Sequence, residues 1–225
     1  MLNIQTLTVG DLTANCYLVT DPATSDTLII DPGDDADFIT ETIINQKLKP
    51  TAIILTHGHF DHVLGCLELK LNFNLPIHLH QADARLYTSA NRSAAHWLKK
   101  KSLKVPPVDQ FIKEGDEIKI GSEKLKVIET PGHTPGSICL FYSPPHNSKF
   151  IIHNSILFTG DTLFKDGVGR TDFSYSSESD LQKSLSKISK LQSEMGNGQY
   201  PFTPAMGKLQ PSATKKLLLS KYFFG

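Results

Sequence analysis

Three histidines and one aspartate lie within six residues in the segment 57–62, which reads HGHFDH. The segment follows the short apolar run 51–55, which predicts a strand covered on both faces, so the cluster lies where a strand leaves the core. His57 and His59 alternate, and an extended backbone would point both side chains to the same side. Imidazole nitrogens and carboxylate oxygens suit zinc or iron. The segment therefore predicts a metal centre rather than a polar loop that is rich in histidine by chance.

A metal held by two histidines needs further ligands, and two later segments supply them. Segment 130–136, TPGHTPG, has prolines and glycines that fix a tight loop around His133. In segment 158–162, FTGDT, Asp161 follows the end of a hydrophobic strand. Either residue alone is a weak indication, because a single histidine is commonly structural and an aspartate after glycine commonly caps a turn. Together with segment 57–62 they complete a ligand shell.

The strand and helix patterns indicate how these segments are positioned. The chain opens as a β-meander, and its elements follow the order strands, helices, strands, helices, with no linker between the halves. This order predicts two sheets packed inside helices, in a single domain that spans 1–225. The predicted strands are 2–9, 15–20, 27–30, 51–55, 76–79, 117–120, 124–129, 137–142, 155–158 and one near 200–203. The predicted helices are one that follows the capping residues 34–35 and ends near 47, then 63–71 and 83 to about 98, one with an apolar stripe over 181–191 after the capping box 177–180, and a last one after 212.

The composition indicates which binding partners and which cellular compartment to expect. Lys plus Arg and Asp plus Glu both number 23 in 225 residues, so no net charge draws the chain to nucleic acid or to a membrane. Residues 1–10 lack the charged start and apolar run of a signal peptide, and no apolar stretch is long enough to span a bilayer. Cys16, Cys66 and Cys139 are widely spaced among apolar neighbours, which is typical of reduced core thiols. These features predict a cytoplasmic protein without nucleic-acid or membrane partners.

The His-x-His-x-Asp-His pattern, the Pro-Gly-His-Thr-Pro-Gly loop and the Gly-Asp turn occur in the order and spacing of the metallo-β-lactamase superfamily. The chain resembles that superfamily over nearly its whole length. The resemblance implies an α+β fold, the αββα sandwich, in which two mixed β-sheets pack between outer helices and a metal site lies at one edge between the sheets. It also implies that His57, His59 and His133 hold a first metal, that Asp61 and His62 hold a second, and that Asp161 bridges the two.

Segments 160–164, GDTLF, and 167–173, GVGRTDF, resemble the short members of the glyoxalase II branch, the hydroxyacylglutathione hydrolase-like proteins. This resemblance implies a metal-dependent thioesterase, in which metal-bound hydroxide attacks the thioester carbonyl of S-2-hydroxyacylglutathione. Asp61 would be the catalytic residue that orients the nucleophile or takes its proton. Lys165 and Arg170 are candidates to bind substrate carboxylates, since arginine forms paired hydrogen bonds with them. The implied cofactor is zinc, with iron as the alternative, and the implied partner is a small glutathione-linked thioester.

Met206 is where the sequence departs from the glyoxalase II pattern. Glyoxalase II relatives end with a Pro-Gly-His-Gly loop whose histidine completes the second metal site, and the matching stretch here is 204–207, PAMG. A thioether sulfur is a weak ligand that replaces an imidazole poorly on zinc or ferrous iron. We therefore expect one tightly bound metal and a second that is weakly bound or absent, with Met206 as a degenerate ligand position.

Two other functions stay open at this point. A mononuclear-iron persulfide dioxygenase needs only two histidines and one aspartate, so the loss of a ligand at Met206 fits it. The persulfide dioxygenases also share much of segment 160–173. A catalytically weakened metal-binding or scaffold protein of the same fold would likewise tolerate Met206. The complete pair of Asp61 and His62 also suits hydrolysis, and the motif does not separate these functions.

Overall fold

Six strands form the first of the two large β-sheets in the described part of the chain. The computed structural model describes residues 1–99, 101, 104–144, 155–194 and 202–204. In sheet order, the six strands are β1 (Asn3–Val9), β2 (Ala14–Thr20), β3 (Asp26–Ile30), β4 (Lys49–Ile54), β5 (Ile77–His80) and β6 (Gln110–Ile112). The first three pair antiparallel, as the predicted meander, and β3 to β6 are parallel. The sequence pattern did not predict β6, because three residues are too few to show a period.

The second sheet has five strands and is also mixed. Strands β7 (Glu117–Ile120), β8 (Glu123–Glu129), β9 (Ile138–Tyr142) and β10 (Ile156–Gly160) pair antiparallel in chain order. The short hairpin β11 (Leu163–Phe164) and β12 (Gly167–Val168) follows β10. Strand β13 (Phe202–Pro204) then pairs parallel to β10 and completes the sheet.

The helices lie near the predicted positions, with one exception. They are α1 (Ala36–Asn45), α2 (Cys66–Phe73), α3 (Ala84–Thr88), α4 (Ala90–Trp97) and α5 (Glu178–Glu194). The prediction of one helix over 83–98 is wrong, because the helix is interrupted at residue 89, between α3 and α4. Ser89 lies at the break, and its hydroxyl donates to the carbonyls of Arg85 at 2.8 Å and Leu86 at 3.1 Å, which competes with the helical backbone. The helix predicted after 212 lies outside the described residues.

Three apolar layers hold these elements together. Residues from both sheets, among them Ile54, Val127 and Leu140, form the layer between the sheets. The outer face of the first sheet packs against helices through residues such as Ile39 and Leu69. The outer face of the second sheet packs against α5, whose predicted stripe of Leu181, Leu185 and Ile188 is buried there. The layers therefore run helix, sheet, sheet, helix, and the predicted reduced thiols Cys16, Cys66 and Cys139 are free and buried.

Several strands of the two sheets end at one shared edge. Asp31 follows β3, segment 55–62 follows β4, the loop 130–137 joins β8 to β9, and Asp161 follows β10. At this edge the backbone N–H of Ile138 donates to the carbonyl of Thr56 at 2.9 Å, which bonds one sheet to the other. The predicted metal-binding segments are thus brought together by strand ends. Within the described ranges, none of the helices has the length and apolar character needed to cross a membrane.

Candidate metal centre

The three histidines predicted to share a metal lie together at the sheet edge. Ligand atoms of His57, His59 and His133 all lie within 4.8 Å of one another. Within this group, His133 Nε2 lies 3.0 Å from His59 Nδ1. His57 and His133 are buried, and His59 is half-buried. The spacing between the ring nitrogens is that of a set of ligands around one ion.

The three other predicted ligands adjoin this group. His62 Nε2 lies 3.7 Å from Asp61 Oδ2 and 3.5 Å from Asp161 Oδ1. The second carboxylate oxygen, Asp161 Oδ2, lies 3.4 Å from His133 Nε2. Asp161 therefore faces both groups, as a bridging ligand would. All six predicted ligands meet in one place.

Thr56 fixes the proton on the His57 ring. Its hydroxyl donates to Asp31 Oδ2 at 2.6 Å and lies 3.1 Å from His57 Nδ1. The hydroxyl has one proton, and it is used in the hydrogen bond to Asp31. The hydroxyl oxygen can therefore only accept from His57, so Nδ1 carries the ring proton. This leaves His57 Nε2 with the lone pair that a metal requires.

His62 and His133 are oriented in the same way by acceptors on their outer side. His62 Nδ1 lies 3.1 Å from Asp31 Oδ2, and His133 Nδ1 lies 2.9 Å from the carbonyl oxygen of Arg170. A carboxylate or carbonyl oxygen can only accept, so Nδ1–H donates in both rings. In both rings Nε2 is then the nitrogen that remains for the cluster.

Three buried atoms at the centre of the cluster face no hydrogen-bond partner within the described part of the chain. They are His57 Nε2, His62 Nε2 and Asp161 Oδ1. An unsatisfied buried polar atom costs about 1–3 kcal/mol, so three of them at one point indicate a bound group. A metal ion between them would satisfy all three, and His62 would release its Nε2 proton when the ion binds. The donor set of imidazoles and carboxylates fits zinc or iron, and the cluster supports a metal cofactor.

Burial and the two carboxylates set the charge of the cluster. Burial alone lowers the pKa of His62, but Asp61 and Asp161, together with the hydrogen-bonded Asp31, outweigh it and raise this pKa to about 10. Burial and the neighbouring imidazoles hold the pKa of His57 and of His59 well below the ordinary value. Burial also raises the pKa of Asp61, with Asp161 acting in the same direction and His62 opposing it. The carboxylates of Asp61 and Asp161 therefore favour a positive charge beside them, while His57 and His59 are neutral imidazoles.

The sequence analysis did not single out Asp31, which comes directly after the predicted strand 27–30. Asp31 is fully buried, and besides the Thr56 hydroxyl and His62 its carboxylate accepts from the Thr56 backbone N–H at 2.7 Å. Asp31, His57 and His62 also form a group of close potential ligand atoms. Because both oxygens of Asp31 already accept hydrogen bonds, we interpret it as a support for the histidines. Its type and its place after a buried strand were the only signals in the sequence.

Asp83 is a second buried carboxylate that the sequence analysis missed. It accepts from Gly58 N at 2.8 Å, from Thr134 Oγ1 at 2.7 Å and from Gly136 N at 2.7 Å. Burial raises the pKa of Asp83, and these three donors oppose that shift. Asp83 thus joins the loop that carries His57 to the loop that carries His133. Its position just before α3 indicated only a helix start.

Gly160 allows the second sheet to approach this edge closely. Its φ is +49°, and a Cβ at this position would lie 2.6 Å from the Thr56 hydroxyl oxygen. A side chain here would be strained and would collide with the residue that orients His57. The Gly-Asp turn that carries Asp161 therefore needs glycine in its first position.

The remaining predicted site residues are placed differently. Lys165 is exposed in the turn between β11 and β12. The Arg170 guanidinium forms a paired contact with Asp172, with both N···O distances at 2.6 Å, and lies 4.4 Å from the centre of the Phe173 ring. Its charge is therefore already matched by a neighbour two residues away. Met206 lies outside the described residues.

One family model matches most of the sequence. Residues 9–219 match the model described as the Metallo-beta-lactamase superfamily. The chain belongs to this superfamily. Its two mixed sheets between helices form the metallo-β-lactamase fold, which confirms the fold that the resemblance implied.

Two curated relatives connect this superfamily member to metallo-hydrolases. The Probable metallo-hydrolase YqgX of Bacillus subtilis is 34% identical over 165 residues, which cover 73% of this chain and 72% of that protein. The Hydroxyacylglutathione hydrolase GloC of Haemophilus influenzae is 33% identical over 180 residues, which cover 76% of this chain and 77% of that protein. Both matches extend along most of the relative's length. They support the assignment of this chain as a hydrolase, without specifying the substrate.

Two solved structures are similar to this superfamily member along almost the whole chain. The BLEG-1 B3 metallo-beta-lactamase has a TM-score of 0.79 and 25% identity, with 99% of each chain covered. The protein TTHA1623, solved in a di-iron-bound form, has a TM-score of 0.76 and 29% identity, with 97% of this chain and 98% of that chain covered. These likenesses extend the family assignment from the sequence to the arrangement of the sheets.

Proposed function

We propose that this superfamily member is a metal-dependent thioesterase that hydrolyses S-2-hydroxyacylglutathione. The observation that carries the proposal is the meeting of six potential ligands, three of which present a buried atom with no hydrogen-bond partner among the described residues. The hydroxyacylglutathione hydrolase of Haemophilus influenzae, which is 33% identical, supports this choice of substrate. The hydrolase chemistry thus has its basis in the site, and the substrate has its basis in the relative.

The proposed ligand sets follow the two groups of the cluster. His57, His59 and His133 would hold one metal, and Asp61 and His62 would hold the other, with Asp161 between them. A bound metal supplies Lewis acidity toward a carbonyl and a nucleophile at neutral pH. The donors suit zinc, and iron is the alternative, since TTHA1623 is described in a di-iron-bound form. Because Met206 replaces a histidine of the glyoxalase II pattern, we expect the first site to be filled more tightly than the second.

The chain's own side chains would prepare the reaction. Asp61 is buried except for about a tenth of its side chain, and it lies beside His62. Its carboxylate can orient the nucleophile or accept its proton, a role worth about 10²–10⁴ in rate. Thr56 and Asp31 hold the imidazoles in fixed tautomers, so little rearrangement is needed during turnover.

The two residues proposed to contact the substrate differ in their surroundings, because Lys165 is exposed and Arg170 already forms an ion pair. Lys165 is exposed, and we propose that it binds a glutathione carboxylate. Arg170 is paired with Asp172, so a substrate carboxylate would have to replace Asp172 on the guanidinium. We therefore expect Lys165→Ala to raise KM more than Arg170→Ala does.

The decisive experiment measures metal content and thioester hydrolysis on the same preparation. Hydrolysis of S-lactoylglutathione is followed through the loss of thioester absorbance, with Asp61→Ala compared to Asp37→Ala, a change of an exposed aspartate in α1. We expect metal-dependent turnover that falls at least ~100-fold in Asp61→Ala and stays at the wild-type rate in Asp37→Ala. Metal-loaded protein without thioester hydrolysis would refute the proposed function.

Met206 is the feature that favours a second candidate, the mononuclear-iron persulfide dioxygenase. Oxygen uptake by iron-loaded protein on glutathione persulfide tests it. Uptake without thioester hydrolysis would establish this candidate in place of the thioesterase, and hydrolysis with zinc and without uptake would exclude it. Metal binding with neither activity would identify the binding or scaffold role.

A further inference from the structure

The hydroxyl of Tyr175 lies against the outer nitrogen of His59. The Tyr175 oxygen is 2.8 Å from His59 Nε2, while the other ring nitrogen, Nδ1, faces His133 at 3.0 Å. A lone pair on His59 Nδ1 requires that the ring proton be on Nε2, where the Tyr175 oxygen can accept it. With the ring proton on Nε2, the Tyr175 oxygen accepts from His59 as the Thr56 oxygen accepts from His57.

The loop 170–177 carries Tyr175 and is bonded to the segment around His133 on both sides of it. Before Tyr175, the carbonyl of Arg170 accepts from His133 Nδ1 at 2.9 Å. After Tyr175, the Ser176 hydroxyl donates to the His133 carbonyl at 2.7 Å, and the Ser177 N–H donates to the Gly132 carbonyl at 2.8 Å. Because the loop is anchored at both ends, the position of the Tyr175 hydroxyl is fixed relative to the cluster.

Ring packing restricts Tyr175 further. Its ring stacks on Phe173, with the ring centres 5.2 Å apart and the planes 17° apart. The Phe173 ring also contacts His59 edge to face, with the centres 5.4 Å apart, and the Arg170 guanidinium lies 4.4 Å from the Phe173 ring centre. Phenylalanine at position 175 would preserve this stack, so the hydroxyl can be tested separately from the ring.

We propose that Tyr175 is a positioning residue whose hydroxyl fixes the tautomer and the orientation of His59, so that Nδ1 faces the metal. The inference rests on the metal centre of the proposed function and is independent of the thioester substrate. Tyr175 would not itself bind the metal, and the sequence analysis did not single it out. Partners on the outer nitrogen of a ligating histidine commonly contribute about 10–100-fold to metal affinity.

The test compares Tyr175→Phe with Tyr87→Phe in the full-length chain. Tyr87 is buried, and its hydroxyl donates to the Pro106 carbonyl at 2.8 Å, so Tyr87→Phe deletes the same group from a residue outside the metal cluster. Zinc affinity is measured by competition with a chelator, the visible spectrum is recorded on cobalt(II)-loaded protein, and the urea midpoint is measured without metal. We expect Tyr175→Phe to weaken zinc binding about 10–100-fold and to shift the cobalt spectrum, with a wild-type urea midpoint. Tyr87→Phe should lower the urea midpoint and keep the wild-type affinity and spectrum.

Each other outcome contradicts the inference in a recognisable way. If Tyr175→Phe keeps the wild-type affinity and spectrum, the hydroxyl does not position His59, and the metal centre itself stands. If its urea midpoint without metal falls as far as that of Tyr87→Phe and the cobalt spectrum is unchanged, the role of Tyr175 is structural. If wild-type protein binds neither zinc nor cobalt, the proposed metal centre is refuted together with the inference.

Discussion

The substitution Thr56→Val tests the proton arrangement that orients His57. Valine fills the volume of threonine and removes only the hydroxyl that donates to Asp31 and accepts from His57 Nδ1. Both His57 and Thr56 are buried, so water cannot replace the lost contacts without a rearrangement. The change therefore leaves the ring N–H of His57 unsatisfied and takes one donor from the Asp31 carboxylate.

The size of the effect follows from these two losses. A hydrogen bond to a charged group contributes about 1.5–3 kcal/mol, and an unsatisfied buried donor costs about 1–3 kcal/mol. The free energy of unfolding of the metal-free protein should therefore fall by about 2.5–6 kcal/mol. Metal affinity should fall about 10–100-fold, because the tautomer of His57 is no longer fixed.

Thr56→Ser is the matched control, since it keeps the hydroxyl and removes a methyl group. Its cost should be close to ~1 kcal/mol, from one buried carbon, with metal affinity near that of the wild type. Urea denaturation without metal and chelator competition for zinc measure the two quantities. Equal metal affinity in Thr56→Val and Thr56→Ser would refute the argument that this hydroxyl fixes the His57 proton.

Three further predictions concern two residues around the centre and one buried aspartate away from it. Asp83→Ala leaves three buried donors unsatisfied, so we expect the free energy of unfolding to fall by at least ~3 kcal/mol in urea denaturation, and a loss under ~1 kcal/mol would contradict this. Gly160→Ala should cost about 1–3 kcal/mol in the same assay, from the positive φ and the contact with Thr56, and wild-type stability would show that the turn can relax. The backbone N–H groups of Ser122 and Ala23 lower the pKa of Asp21 below 3.8. Its stabilising contribution is therefore complete above that value and lost as the pH falls through the lowered pKa, so the urea midpoint of Asp21→Asn should decline less steeply in acid than that of the wild type.

The candidate ligands could be identified from the sequence because their residue types are those that bind metals. His57, His59 and His62 lie within six residues, and His133 and Asp161 lie in segments of distinctive composition. A strand that ends at a histidine cluster also predicts where the cluster lies, since strand ends share an edge. The structure brings these side chains together as the pattern indicates.

The supporting residues were not predictable, because their partners are set by tertiary contacts. Asp31 and Asp83 are single aspartates at a strand end and before a helix, and their hydrogen-bond partners lie 25 or more positions away in the chain. Tyr175 contacts His59 across a sequence separation of 116 residues. The break at Ser89 has a local cause, but a serine in a helical pattern takes either role, so periodicity alone did not identify the break.

The hydrogen bond from Ile138 to Thr56 joins the two sheets beside the candidate ligands, and these candidates come from both sheets. An ion held by His57 from the first sheet and by His133 and Asp161 from the second would act as a cross-link between the two halves of the chain. Neither half alone presents the full set of donors, so separating the sheets would release the ion. By mass action, free metal at 100 times its dissociation constant would add about 2.7 kcal/mol to the free energy of unfolding. Metal supply would then control how long the folded protein survives as well as how fast it works.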